Sequence, residues 1–335
     1  MVLKIGNDAE FYLSQKTHFN GKNQLNPVLA TYFCRMKSIL MVVAMVLGVL
    51  FPIGSQLTFM VSYLVMIMLF LAFLDMQIHK KMLMRSHLWV LLANIGVAFL
   101  FYFIILPFHT ELAVTAFITG IMPTAAAAPV ITGYLKGRVE YVTISVIVTS
   151  IGVALIVPFA IPSMVQTTAP ISIEKVLFPV FLLVFTPLFL ARFLRALPSK
   201  VIDTLRPFKK ASFYCFLLNI YIATAKATDF VTNQPSGTLP LILGIALVTL
   251  LICILNFAFG SKLGEEGFSL ETSQALGRKN TMFSVWLALT FISPMAALGP
   301  MIYILWHNVY NSYQMYQLKR SGRTLAEPSP GGQAT

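Results

Sequence analysis

Apolar runs long enough to cross a bilayer recur along most of this chain, and the links between them are short and polar. At about 20 residues per crossing, the runs fall at roughly 38–54, 57–78, 88–107, 111–135, 139–164, 174–196, 208–230, 238–260, 269–293 and 296–318. Nothing else in the sequence restricts the fold as strongly. In hydrocarbon each segment must satisfy its own backbone polar groups, so a chain of this kind folds as a helical bundle. The composition agrees, because 57% hydrophobic and 11% charged residues suit an all-α integral membrane protein rather than a soluble core.

The ninth run is the ambiguous one. Residues 269–280 carry Glu271, Thr272, Ser273, Gln274, Arg278 and Lys279. Reading them as a loop leaves one helix over 281–306 and nine crossings. Charge decides between the counts, since short cytoplasmic links collect Lys and Arg. With ten crossings, Lys4, Lys16, Lys22, Arg35 and Lys37, then Lys80, Lys81 and Arg85, then Lys136 and Arg138 fall on one side. Arg192, Arg195, Lys200, Arg206, Lys209, Lys210, Lys262, Lys319, Arg320 and Arg323 join them, whereas the other side holds Lys175 and Lys226, each near an acid. The expectation is therefore ten transmembrane helices with both termini cytoplasmic, in a cell (inner) membrane. A polar segment 1–37 without a signal-peptide core precedes them, and a Gly/Pro/Ser-rich disordered tail 319–335 follows.

Ten crossings divide into five-helix repeats, 38–168 and 169–318. An odd number per repeat inverts the second relative to the first, the 5+5 inverted repeat of secondary transporters. Spans 4 and 9 are then counterparts, and both are flawed. Span 4 contains Pro123, Thr124, a run of four alanines over 125–128 and Pro129. Proline removes a donor and clashes with the preceding turn, and alanines admit another backbone closely. Thr124 is expected to cap a second half-helix with Pro129 in its first turn. Span 9 is interrupted at Gly277-Arg278-Lys279-Asn280-Thr281, where Asn280 and Thr281 are expected to cap. Flaws at matching positions predict two broken, crossing helices with a midplane binding site.

Lys279 is the sharpest single residue. An ionisable group at membrane depth costs several kcal/mol unless paired or hydrated. It can hold an anion, exchange a proton, or snorkel to the surface beside Arg278. Asn94 and Asn308 lie in apolar helices, where their amides need partners. The three cysteines are scattered and suggest neither a disulfide nor a metal site. The chain lacks His-Glu-x-x-His, paired carboxylates and a G-x-S-x-G elbow, so it does not read as an enzyme. Its basic residues are divided among short links, unlike a nucleic-acid surface.

The stretch from Pro123 to Gly137 resembles the first crossover of the bile acid:sodium symporter family, and Gly277 to Leu289 resembles the second. Ala296-Ala297-Leu298-Gly299-Pro300, with Ile304-Leu305-Trp306-His307-Asn308, resembles the family's last helix. The resemblance implies a symporter of small organic anions working by alternating access. Substrate would bind near Thr124, Ala126, Ala127, Ala128, Pro129, Asn280, Thr281 and Asn308, with Lys279 and Asn94 in coupling. It also implies sodium sites, yet most of their ligands are missing. Ala128 and Pro129 stand in place of a Ser-Asn pair, Ala275 in place of a Glu, and Lys279 in place of a Gln. The hydroxyls of the next helix fall on Val142 and Val146, with Thr143 and Thr149 close by, and a Gln of span 3 falls near Asn94. An ammonium repels sodium, so no cofactor is expected and a proton or a sodium ion remains open as the coupling ion. A sodium/proton exchanger on the same fold and a non-transporting membrane sensor are the rival readings.

Overall fold

The structure is a computed structural model that describes residues 27–76, 83–164, 172–197, 204–205, 208–233 and 238–320. Most of the expected N-terminal segment, the tail beyond 320, the basic Lys80, Lys81, Lys200 and Arg206, and the boundary between the two repeats lie outside the described residues.

The described residues fold mostly into helices. In order they are α1 (Pro27–Leu50), a short 3-10 helix (Pro52–Leu57), α2 (Met60–Asp75), α3 (Ser86–Ile105), α4 (Thr110–Ile121) and α5 (Ala128–Tyr134). Then follow α6 (Val139–Met164), α7 (Ile173–Arg195), α8 (Lys209–Thr232) and α9 (Thr238–Leu263). The last are α10 (Ser269–Gly277), α11 (Thr281–Phe291) and α12 (Pro294–Arg320). Among the described residues, four helices are long and apolar enough to cross a membrane alone: Ser86–Ile105, Val139–Met164, Ile173–Arg195 and Leu239–Leu263. Shorter apolar helices include Met60–Leu74, Thr110–Ile121 and Thr281–Phe291. The protein is an integral membrane protein.

Its exposed faces explain the long apolar runs. Leu239, Leu243, Leu247, Leu251 and Ile254 follow helical spacing along α9 and are all exposed. A patch of that size on a soluble protein is a liability; in a bilayer it meets acyl chains. Inside, the helices form two packed groups. α8 packs on α1 and α2, and α2 packs on α7. α9 packs on α3, α4, α10 and α12, α4 also packs on α3 and α12, and α10 on α3, with α5 and α6 against this group. The groups meet where α7 lies on α6, where α1 and α8 lie on α12, and where α2 and α8 lie on α11.

The helix ends bear on the sequence reading in two places. The first helix ends at Leu50 rather than 54, because Pro52 cannot continue the ladder and the chain tightens into the 3-10 turn. A single helix over 281–306, the basis of a nine-crossing count, is absent: α11 ends at Phe291 and α12 begins at Pro294.

Candidate functional site

Helices α4 and α10 stop short. The twelve residues of α4 span about 18 Å and the nine of α10 about 14 Å, against a hydrocarbon core of about 30 Å. Neither is long enough to cross by itself, so the carbonyls and amides freed at each break need partners within the protein.

The two breaks satisfy each other. Past α4 the backbone extends at Met122 (φ −47°, ψ 132°). Past α10 it extends at Arg278 (φ −90°, ψ 111°). The extended pieces pair antiparallel, with Thr124 opposite Lys279. Ala125 N–H donates to the Arg278 carbonyl at 2.8 Å, and Asn280 N–H donates to the Pro123 carbonyl at 2.7 Å. Proline suits this strap because only its carbonyl is used.

Side chains close the helix ends. The Lys279 ammonium donates to the Gly120 carbonyl at 3.1 Å and to Asn94 Oδ1. Asn94 Nδ2 donates to the Ile121 carbonyl at 3.0 Å. The last turn of α4, negative by its dipole, is thus held by one cation and one amide. On α10, the Thr124 hydroxyl donates to the Ala275 carbonyl at 2.6 Å and the Tyr303 hydroxyl to the Gly277 carbonyl at 2.8 Å. Thr124 N–H donates to Thr149 Oγ1 at 2.9 Å. Close packing accompanies these bonds: a Cβ on Gly120 would stand 2.7 Å from Ala98 Cα, and one on Gly277 would stand 2.3 Å from the Phe257 ring.

The sequence candidates separate accordingly. Thr124, Lys279, Asn94, Asn280 and Thr281 meet at the crossing. Lys279 is only 1% exposed, so it does not snorkel. Thr124 does not cap α5, whose N-cap is Ala127, because its hydroxyl is committed to α10. Pro129 sits in the first turn of α5 as expected, and Asn280 caps α11, accepting from Phe283 N–H at 3.4 Å. Thr281 is the first residue of α11 rather than its cap. Of the alanines, Ala125 and Ala128 are buried, Ala126 is half-buried and Ala127 is exposed. Asn308 lies elsewhere, its amide 3.8 Å from Met41 Sδ on α1. His109 at the far end of α4 is a cap, accepting from Leu112 N–H at 3.2 Å, and Lys226 pairs locally with Asp229 at 3.7 Å.

Of one polar seam the sequence reading touched only His307. Tyr303, His307, Asn311 and Gln314 fall on one face of α12, and the first three are buried. Gln274 Nε2 of α10 donates to Gln314 Oε1 at 2.8 Å. The spacing of four, four and three along α12 was the available signal.

A sequence model described as the Sodium Bile acid symporter family matches residues 56–234, just over half of the chain. The match includes Asn94 and the first break and ends before the second. No curated protein matches the chain.

Proposed function

The chain belongs to the Sodium Bile acid symporter family, and from that premise we propose that it is a secondary transporter of small organic anions with a built-in cation at its helix crossing. Family members are transporters, which fits a membrane protein without enzymatic function. The reading takes the fold as ten crossings in a 5+5 inverted repeat, residues 38–168 and 169–318, with both termini cytoplasmic in the cell membrane. The group containing the crossing would move against the group of α1, α2, α7 and α8 to alternate access.

The observation that carries the proposal is the Lys279 ammonium, buried and bonded to the end of α4. It supplies positive charge at membrane depth, where an anion otherwise pays heavily for desolvation. The N-terminus of α11 adds partial positive charge beside it. Asn280, Ala126 and Ala127 are the accessible part of the crossing and offer an amide and a surface without bulk. Thr124, Ala128, Pro129 and Thr281 support them from below; Asn308 does not belong to this set.

Sodium does not fit the residues present. Asn94 Oδ1 and the Gly120 carbonyl already accept from the ammonium, and Thr149 Oγ1 already accepts the Thr124 amide. A sodium ion about 4 Å from the ammonium would meet about 4 kcal/mol of repulsion at an effective dielectric of 20. Lys279 takes the place of that ion, and a proton it gives up and regains is the coupling ion that its chemistry allows.

Uptake of a panel of carboxylates into proteoliposomes, under separate sodium and proton gradients, tests the reading. Concentrative uptake of at least one organic anion supports it. Absence of both uptake and counterflow across the panel overturns it.

A further inference from the structure

Helices α3 and α9 lie side by side and antiparallel. Val90 and Ala93 of α3 pack near Leu263 of α9, whereas Val97 packs with Ile252 and Cys253. Between them runs a groove of about 450 Å³. Its walls are Trp89, Ala93 and Gly96 on one helix and Leu255, Phe259 and Leu263 on the other. Gly96 leaves the floor open, since a Cβ there would meet nothing within 4 Å.

The dimensions suit one leaflet. From Trp89 to Leu100 the lining of α3 advances about 17 Å, roughly half of a hydrocarbon core of about 30 Å. Trp89 is 57% exposed and stands where indoles favour the membrane interface. Both stripes run into a cation at the same end. Arg85 precedes Trp89 by one turn of α3, and Lys262 follows Phe259 by three residues on α9; both are exposed. Basic residues at the end of an interhelical groove attract acidic headgroups.

We propose that the α3–α9 groove binds an anionic phospholipid, with an acyl chain along Gly96 and the phosphate between Arg85 and Lys262. The site is independent of the helix crossing. It would hold a lipid on the outer face of the group that carries Lys279. Glu265 and Glu266 follow in the exposed link to α10, and the variants below test that the two cations, not these acids, set the headgroup preference.

Native mass spectrometry of the purified protein, with phosphatidylglycerol and phosphatidylcholine of identical chains, reads this directly. The wild type should retain phosphatidylglycerol preferentially. Each basic residue is worth about 1 kcal/mol near an acidic headgroup, or about fivefold. Arg85→Gln with Lys262→Gln should therefore reduce retention of phosphatidylglycerol roughly 25-fold and leave phosphatidylcholine unchanged. Gly96→Leu, placed in open space, should fill the groove and lower retention of both lipids. Equal retention of both lipids by the wild type would overturn the proposal. So would an unchanged preference in the Gln pair, which alters only exposed side chains, or a dimer mass abolished by Gly96→Leu, which would make the groove a contact between copies.

Discussion

Replacing Asn94 by Leu should loosen the crossing, and replacing Lys279 as well should restore much of the loss. Asn94 makes two buried bonds, accepting from the Lys279 ammonium and donating to the Ile121 carbonyl. A hydrogen bond to a charged group contributes about 1.5–3 kcal/mol, and an orphaned buried carbonyl costs about 1–3 kcal/mol. Asn94→Leu should therefore destabilise the protein by about 2.5–6 kcal/mol. Lys279→Met alone should cost less, because removing the buried charge offsets the loss of its two acceptors. In the double variant the pairwise term vanishes, leaving a coupling energy of about 1.5–3 kcal/mol. Interhelical hydrogen bonds in membranes average nearer 0.6 kcal/mol, so the charged pair should stand above that background. Reversible unfolding in mixed detergent micelles measures all four proteins. Additivity within about 0.5 kcal/mol would refute the geometry and return Lys279 to a surface-seeking role.

Two more outcomes follow from the same strap. Ala127→Leu should weaken anion binding with little loss of stability, because Ala127 is exposed on the accessible face of the crossing, whereas Ala128→Leu should lower stability as well, because Ala128 is wholly buried; equilibrium binding and thermal unfolding in detergent separate them. Gly277→Ala should cost about 1–3 kcal/mol by overpacking, since its Cβ would enter the Phe257 ring; thermal unfolding reads the loss.

Much of this architecture was legible because hydrophobic length and helix-stop chemistry are local. Val139–Met164 appears with both expected ends, bounded by a glycine-containing link and by polar residues. Breaks at Pro123 and near Lys279 were readable from a missing donor and a polar interruption. What joins them was not. The pairing of Thr124 with Lys279 links residues far apart in sequence through backbone atoms, which carry no periodicity. Thr124 looked like a cap because threonine commonly is one, and its true acceptor lies on α10. Burial of Lys279 depends on carbonyls at the end of α4 and on Asn94 of α3, so hydropathy of its own span gave no means of distinguishing it from a snorkelling lysine. Asn308 was drawn in by the likeness of Trp306-His307-Asn308 to the family's last helix, yet its side chain is directed at α1.

Coupling is the centre of the account, and uptake by reconstituted protein in sodium and in choline buffers measures it most directly. With a transported anion in hand, the wild type should accumulate it equally in both. Lys279→Gln should lose accumulation or bind the anion much more weakly; about 4 kcal/mol of lost attraction corresponds to nearly a thousandfold. Strong stimulation of the wild type by sodium, or a Gln variant that transports normally, would contradict the assignment of Lys279 as the protein's own cation.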